Sequence, residues 1–391
     1  MEGNKTSLYV SQGEEIWHYE VDVDKATLAR RKCVLLPAKV QYVWPHPSRR
    51  YLYVTSSDRV RGELGTLHHL TTFSVGADGS LEQVGNPLVL PFRPIHMTVD
   101  GAGAHIAVAY NFSGSKTGPG TVILYRIRDG GAVVEPPARD DVIDAGMYPH
   151  QARFTRDGAT LLVCARGNDP SGARAEDPGA LKQFRVTGTG LELSAEFGYE
   201  SGLGPRHLDL HPTKPWIYVS MERGNKLCVH ELAADGKVVP KILFTRSTLK
   251  DDANDRFKRQ LASTIHVHPS GKFVYVGNRA DSVVRHGDVD VLEGGENTLA
   301  VFRIDGTTGE PTLVEHVDTH GIHPRTFSLD RTGRLLIVGN LMTRNVREGE
   351  SVKVVPIALS LFRVQADGRL EFARKYELDC GGKAPFWTGI I

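Results

Sequence analysis

The chain has 391 residues, with 47 Lys and Arg against 46 Asp and Glu, so it is almost neutral. Its basic residues are scattered among acidic ones rather than gathered into a stripe, which argues against a nucleic-acid or membrane-surface partner. No apolar run is long enough to span a bilayer and Met1 to Thr6 is polar, so a cytoplasmic protein without a secretory signal is expected.

Residues 7 to 36 hold about three strand-like runs, SLYVSQ, EIWHYEV and RKCVLL. From residue 41 onward a unit recurs: a short strand, a polar turn built on His-Pro or Asp-Gly, and a hydrophobic strand ending in a polar residue. Its copies are Tyr42 to Ser57, Pro149 to Arg166, Pro205 to Glu222, Ile265 to Arg279 and Pro324 to Asn340, with a weaker one at Pro94 to Asn111. Each copy is followed by a second pair of β-rich runs, such as Leu299 to Ile304 and Thr312 to Val317. The unit is therefore four strands long, and its period of roughly 45 to 60 residues is that of propeller blades.

Six blades are expected at 41–90, 94–145, 148–201, 204–249, 262–320 and 323–379. The termini supply a seventh, with the apolar tail PFWTGII pairing with the N-terminal blade. An unpaired edge there would invite aggregation. The expected fold is thus all-β, a single seven-bladed β-propeller domain over 1–391, built of four-stranded antiparallel blades and closed by the C-terminal strand. Cys33, Cys164, Cys228 and Cys380 show no close spacing and read as buried, reduced thiols.

Both ends of the repeated strand pair reach the face of the ring that surrounds the channel mouth. Aligning the copies on their turns gives a leading column (Gln41, Ile95, His150, Arg206, Ser263, Arg325) and a trailing column (Ser57, Asn111, Arg166, Glu222, Arg279, Leu341). Packing positions agree between copies, as Tyr53, Tyr218 and Tyr275 do. The mouth columns disagree, and they carry His150, Arg206, Glu222 and Arg279. Several arginines around one pocket imply an anionic ligand, because guanidinium offers a planar fork to carboxylate or phosphate. Arg325, Arg166, His207, Asn111 and His96 are the expected further substrate contacts. The histidines His96, His207, His266 and His323 lack metal-site spacing, so neither a metal nor another cofactor is expected. Long insertions at Arg59 to Thr66, Arg166 to Gly179, Val284 to Glu296 and Met342 to Val355, and the joining segment 246–261 with a short helix, are expected on the mouth face.

These residues resemble the seven-bladed propeller lactonase family, which includes 6-phosphogluconolactonases and carboxymuconate lactonizing enzymes. The resemblance covers nearly the whole chain and rests on YPHQ at 148–151, GPRHLDLH at 204–211, Glu222 after YVSM, IHVHPSGKFVYVGNR at 265–279 and PRTF at 324–327. It implies a functional His, Arg, Glu and Arg at His150, Arg206, Glu222 and Arg279. Arg166, Gly167 and Asn168 stand where the phosphogluconolactonase-like members have Asp-Leu-Gly, and Leu341 stands where Gln is usual. Both changes lie beside the pocket.

The implied activity is hydrolysis of a sugar-acid lactone. Glu222 or His150 would take the proton from water while Arg206 and Arg279 hold the acyl oxygen or an acidic group. The same residues suit a lactone-forming carboxymuconate cycloisomerase acting on a polycarboxylate. A non-catalytic propeller binding a peptide or protein is the third reading; the chain lacks the Trp-Asp and Gly-His signatures of the commonest interaction propellers. Either enzyme reading implies a small anionic lactone or polycarboxylate as partner and a monomer or small homo-oligomer.

Overall fold

The computed structural model describes residues 5–60, 63–115, 117–134, 143–188, 190–257 and 259–391. Parts of the expected sequence features, namely Met1 to Asn4, Arg61 and Gly62 in the first insertion, Lys116 and 135–142 in the 94–145 blade, Thr189 in the 148–201 blade and Lys258 before the 262–320 blade, lie outside the described residues. Seven four-stranded antiparallel sheets form the blades, and each of six begins with the strand nearest the channel. Those six innermost strands are Lys39–Pro45, Pro94–Val99, Pro149–Phe154, Pro205–Leu210, Leu261–Val267 and Ile322–Leu329. The remaining blade holds Lys5–Gln12, Glu15–Asp22 and Thr27–Leu35, and its innermost strand is the C-terminal Pro385–Ile390. Leu8 pairs with Ile390 and Val10 with Thr388, so the expected closure is present. The seven inner strands touch one another in sequence around the ring.

The repeated turn explains how neighbouring blades lock. In His46, His211 and His268, Nδ1 accepts a backbone N–H two residues on, which leaves the proton on Nε2. That Nε2–H donates to the carbonyl of Gly103, Gly271 or Gly333 in the turn of the following blade, at 3.1, 2.9 and 3.0 Å. Gly333 has φ +72°, and a Cβ there would lie 2.2 Å from the His268 ring, so only glycine fits. The tyrosine column makes a second tie. Tyr53, Tyr218 and Tyr275 each donate a hydroxyl to a glycine carbonyl of the next blade, Gly131, Gly309 and Gly368. Both ties are local in pattern and long in sequence, which is why one short motif can build a closed ring.

The core consists of apolar clusters between adjacent blades, for example Tyr218, Val229, Ile265, Val276 and Phe302. The four cysteines are unpaired, and Cys164 and Cys228 are buried as expected. Cys33 departs from that expectation because it lies on the outermost strand of its blade and is exposed; Cys380 is half-buried. Among the described residues, no helix is long and apolar enough to cross a membrane.

An eighth sheet is an addition that the repeat did not disclose. Val283–His286 and Val289–Leu292 form one hairpin, Arg344–Glu348 and Ser351–Val355 another, and the two join in parallel through Val291 and Asn345. Both hairpins are second-to-third-strand insertions, and together they rise beside the mouth. The segment 246–261 contains a single turn of 3₁₀-helix, Asp252–Arg256.

Candidate active site

Every residue of the leading column sits at a register break in its inner strand. The breaks fall between Val40 and Tyr42, Pro94 and His96, Pro149 and Gln151, Pro205 and His207, Ala262 and Ile265, and Pro324 and Thr326. A bulge of this kind leaves one residue unpaired and re-aims its side chain. Proline in four of these places fits the same need, since it has no N–H to offer the ladder. The C-terminal strand breaks similarly after Pro385, so Phe386 is the seventh member of the column, which the repeat alignment did not include.

The bulges and strand ends bring His150, Arg206, Glu222, Arg279, Arg166 and Arg325 together. Glu222 is the hub. Its Oε2 accepts from Arg166 Nη1 at 2.8 Å, and its Oε1 accepts from Arg279 Nη2. Arg206 Nε lies 3.0 Å from Oε1, close enough for an ion pair but not aligned as a hydrogen bond. Arg206, Glu222 and Arg279 are 1%, 3% and 4% exposed. Burial would raise the Glu222 pKa, but Arg166, Arg279 and Arg206 outweigh it and hold the carboxyl well below the usual carboxylate range. Burial, Arg279 and Arg325 act against the charge on Arg206, and Glu222 is its counter-charge. The guanidinium keeps its proton at neutral pH regardless.

Arg279 has a second brace. Its Nη1 lies 3.4 Å from His323 Nε2, and His323 Nδ1 lies 3.3 Å from Asp281, which also pairs with Arg259. Since guanidinium only donates, His323 Nε2 must be the accepting nitrogen. Burial pushes the His323 imidazole down to about 3, so this link is neutral.

Arg325 differs from the others. Among the described residues no carboxylate lies within ion-pair distance of it; its guanidinium stacks over the Phe386 ring at 4.3 Å. Arg93, which the columns missed, is also without a carboxylate partner there, and Gln41 accepts from its Nε at 3.0 Å. Burial first, then neighbouring arginines, lower both to about 9, which still leaves them charged at neutral pH. The mouth therefore holds three arginines on Glu222, with Arg325 and Arg93 beside them and without a carboxylate partner among the described residues, and the excess charge suits an anion. Replacing Arg325 by Ala is expected to raise KM for an anionic substrate about 10- to 100-fold, the range of a charged hydrogen bond, with the melting temperature nearly unchanged; steady-state kinetics and a thermal melt check this.

His150 is half-buried at the rim, and its Nδ1 is buried with no hydrogen-bond partner among the described residues. Burial, then Arg206, Arg325 and Arg166, put its pKa well below the ordinary value, so the ring is a neutral imidazole. Asn111 is likewise half-buried, with an unpartnered Oδ1. His207 and His96 take other positions. His96 has no exposed surface and packs 3.9 Å from the Tyr42 ring, and His207 is 5.0 Å from His150, centroid to centroid, below the rim. His207 lines the channel below the mouth, and His96 is packed beside it, 6.0 Å away ring to ring.

The rim carries two further features. Arg174 Nη1 donates to the Tyr148 hydroxyl at 2.8 Å, and Arg166 lies over the same ring at 5.6 Å. On the opposite side the added sheet is moored at its base, where Arg344 Nε donates to the Asp281 carbonyl at 3.4 Å. Glu296 fastens the 246–261 strap by accepting from the backbone N–H groups of Lys250 and Asp251 and from Asn254. Replacing 286–295 with a short turn is expected to raise KM several-fold with kcat little changed; an unchanged KM would make the sheet mere decoration.

The fold is a closed seven-bladed propeller with an arginine cluster around Glu222 and a neutral His150 at its mouth. Residues 3–350 match the lactonase, 7-bladed beta-propeller family, and the chain belongs to it. It is 25% identical over 349 residues to the 6-phosphogluconolactonase of Bacillus subtilis, covering 86% of this chain and 88% of that one. With the 6-phosphogluconolactonase of Xenorhabdus nematophila it shares 25% identity over 383 residues, 96% and 94% of the two chains. The structure of the periplasmic gluconolactonase of Pseudomonas aeruginosa superposes with a TM-score of 0.74 at 19% identity, over 99% of each chain.

Proposed function

We propose that this protein hydrolyses a sugar-acid lactone bearing a negative group, at the channel mouth and through its own side chains. The observation that carries the reading is the placement of a neutral His150 beside Arg206, Arg166 and Arg325, the last without a carboxylate partner among the described residues. Relatives named 6-phosphogluconolactonase favour hydrolysis over cycloisomerisation and over a purely binding role. The four unpaired cysteines suit the expected cytoplasmic setting.

In this mechanism the substrate's anionic group settles on Arg325, with Arg93 behind it, and its acyl oxygen faces the guanidinium cluster. Charge developing on that oxygen is stabilised by the fixed positive field of Arg166, Arg206 and Arg279, which Glu222 holds in place before the reaction begins. His150 takes a proton from water as the O–C bond forms at the carbonyl, then returns it to the ring oxygen as the lactone C–O bond breaks. The bound anion offsets the arginine field and makes His150 a stronger base than in the free protein. Glu222 is too strongly held as a carboxylate to serve as base, and Arg206 and Arg279 are committed to it. Their part is to keep the field and the geometry fixed.

The test is acid release from sugar-acid lactones with and without a phosphate, run beside absorbance loss of a carboxymuconate on the same preparation. His150→Gln is expected to lower kcat by about 10² to 10⁴ with little change in melting temperature, since its buried Nδ1 has no partner to lose. Because the His150 pKa is depressed, the wild-type acid limb of kcat/KM should lie below the ordinary histidine value and vanish in the variant. Turnover of the carboxymuconate alone would replace hydrolysis by cycloisomerisation.

A further inference from the structure

Beneath the mouth, the other half of the channel holds a cavity of about 220 Å³ whose lining includes Tyr42, His207, Thr326, Trp387 and Thr388. Trp44 borders both this cavity and a second one of about 450 Å³ at the turn face of the ring. Three of the lining residues carry buried polar atoms with no hydrogen-bond partner: His207 Nε2, Thr326 Oγ1 and Thr388 Oγ1. His207 and Thr388 are 4% and 3% exposed. Buried polar groups are seldom left unpaired, and a polar cavity of this size has room for several waters at roughly 30 Å³ each.

The tautomer of His207 follows from its neighbour. Arg206 Nη1 lies 3.5 Å from His207 Nδ1, and a guanidinium only donates, so Nδ1 accepts and the proton sits on Nε2. Nε2–H is then a buried donor with no acceptor among the described residues, on a histidine that lines the cavity. The His150 ring is 5.0 Å from the His207 ring, and His150 Nδ1 is also buried and unpartnered. Unpartnered polar atoms thus continue from the cavity to the base at the mouth.

We propose that the far half of the channel is the binding site for the second substrate, water, and feeds the nucleophile from beneath, past His207 to His150, while the lactone occupies the mouth. This rests on the hydrolytic reading above. The chemistry balances as before: the water oxygen bonds to the acyl carbon, and its proton passes through His150 to the departing ring oxygen. Waters held by Thr326, Thr388 and His207 make good the loss to the base each time one is consumed.

Thr326→Val with Thr388→Val tests this, because neither hydroxyl gives up a protein hydrogen bond and the shapes are nearly conserved. The double variant should lose about tenfold in kcat for hydrolysis, equivalent to about 1.4 kcal/mol of barrier, with KM unchanged. Methoxyamine does not depend on water held in the cavity and reaches the acyl carbon from the mouth. Its enzyme-dependent opening of the same lactone should persist, so the ratio of N-methoxyamide to acid rises about tenfold. An unchanged ratio, or both reactions falling together, overturns the proposal. So does a high-resolution crystal structure in which the cavity is dry. If the wild-type protein opens no lactone with either nucleophile, hydrolysis itself fails and water delivery fails with it, an outcome distinct from an unchanged ratio.

Discussion

Glu222→Gln is expected to destabilise the protein by about 3–5 kcal/mol and to lower kcat by about 10² to 10³. The substitution leaves Arg206 and Arg279 buried without their counter-charge and releases Arg166. Breaking a buried ion pair on one side is costlier than the pair is worth, because the remaining charge stays desolvated. The fall in kcat comes from lost geometry, and KM for an anion should rise little, since the mouth becomes more positive. The acid limb of kcat/KM should survive, because it belongs to His150. A variant of wild-type stability that had lost this limb would make Glu222 the base instead.

The pH dependence of stability carries the same signature. Glu222 has a folded pKa below its unfolded value, so its contribution is complete above the ordinary carboxylate range, about 4.3, and is lost as pH falls toward the depressed folded value. Stabilities of wild type and Glu222→Gln, measured by denaturant unfolding, should therefore differ most near neutrality and converge in acid.

Deleting Ala384 to Ile391 is expected to lower the melting temperature by roughly 10 °C or more, taking roughly 3–5 kcal/mol for Trp387 alone and about 2–4 °C per kcal/mol. The deletion removes the whole inner strand of the first blade. Ser11 Oγ loses the Trp387 N–H, Ser7 O loses the Ile391 N–H and Ser328 Oγ loses the Ile390 N–H. Lys5–Gln12 becomes an open edge facing the channel, a template for aggregation. Arg325 also loses the ring beneath it, so any residual activity should show a raised KM. An unchanged melt would reject the closure as a source of stability.

The blade count and the location of the mouth were legible because a propeller states its architecture many times over. The His-Pro turn and the tyrosine column each make one repeated tie to the next blade, so their periodicity is the fold written along the chain. The disagreement of the mouth columns similarly pointed to His150, Arg206, Glu222 and Arg279. One signal in the sequence went unread: Pro94, Pro149, Pro205, Pro324 and Pro385 mark corresponding positions, and the residue before each forms another column. That column contains Arg93, Tyr148 and His323, all of which the structure sets around the site.

Other features had no such signal. The added sheet joins two hairpins through Val291 and Asn345 and through Asn345 donating to the Asp290 carbonyl, 55 residues away, a pairing that depends on two loops being brought beside each other. The roles within the site were equally hidden. By itself the sequence determined the repeat, the ring and which residue types stand at its mouth, because those depend on local pattern multiplied around an axis. Only the tertiary structure decided that Glu222 pairs with three arginines, that Arg325 has no carboxylate partner among the described residues, and that His207 faces a cavity below. Charge, desolvation and hydrogen-bond partnership depend on neighbours brought together from different blades, and spacing along one strand does not report them.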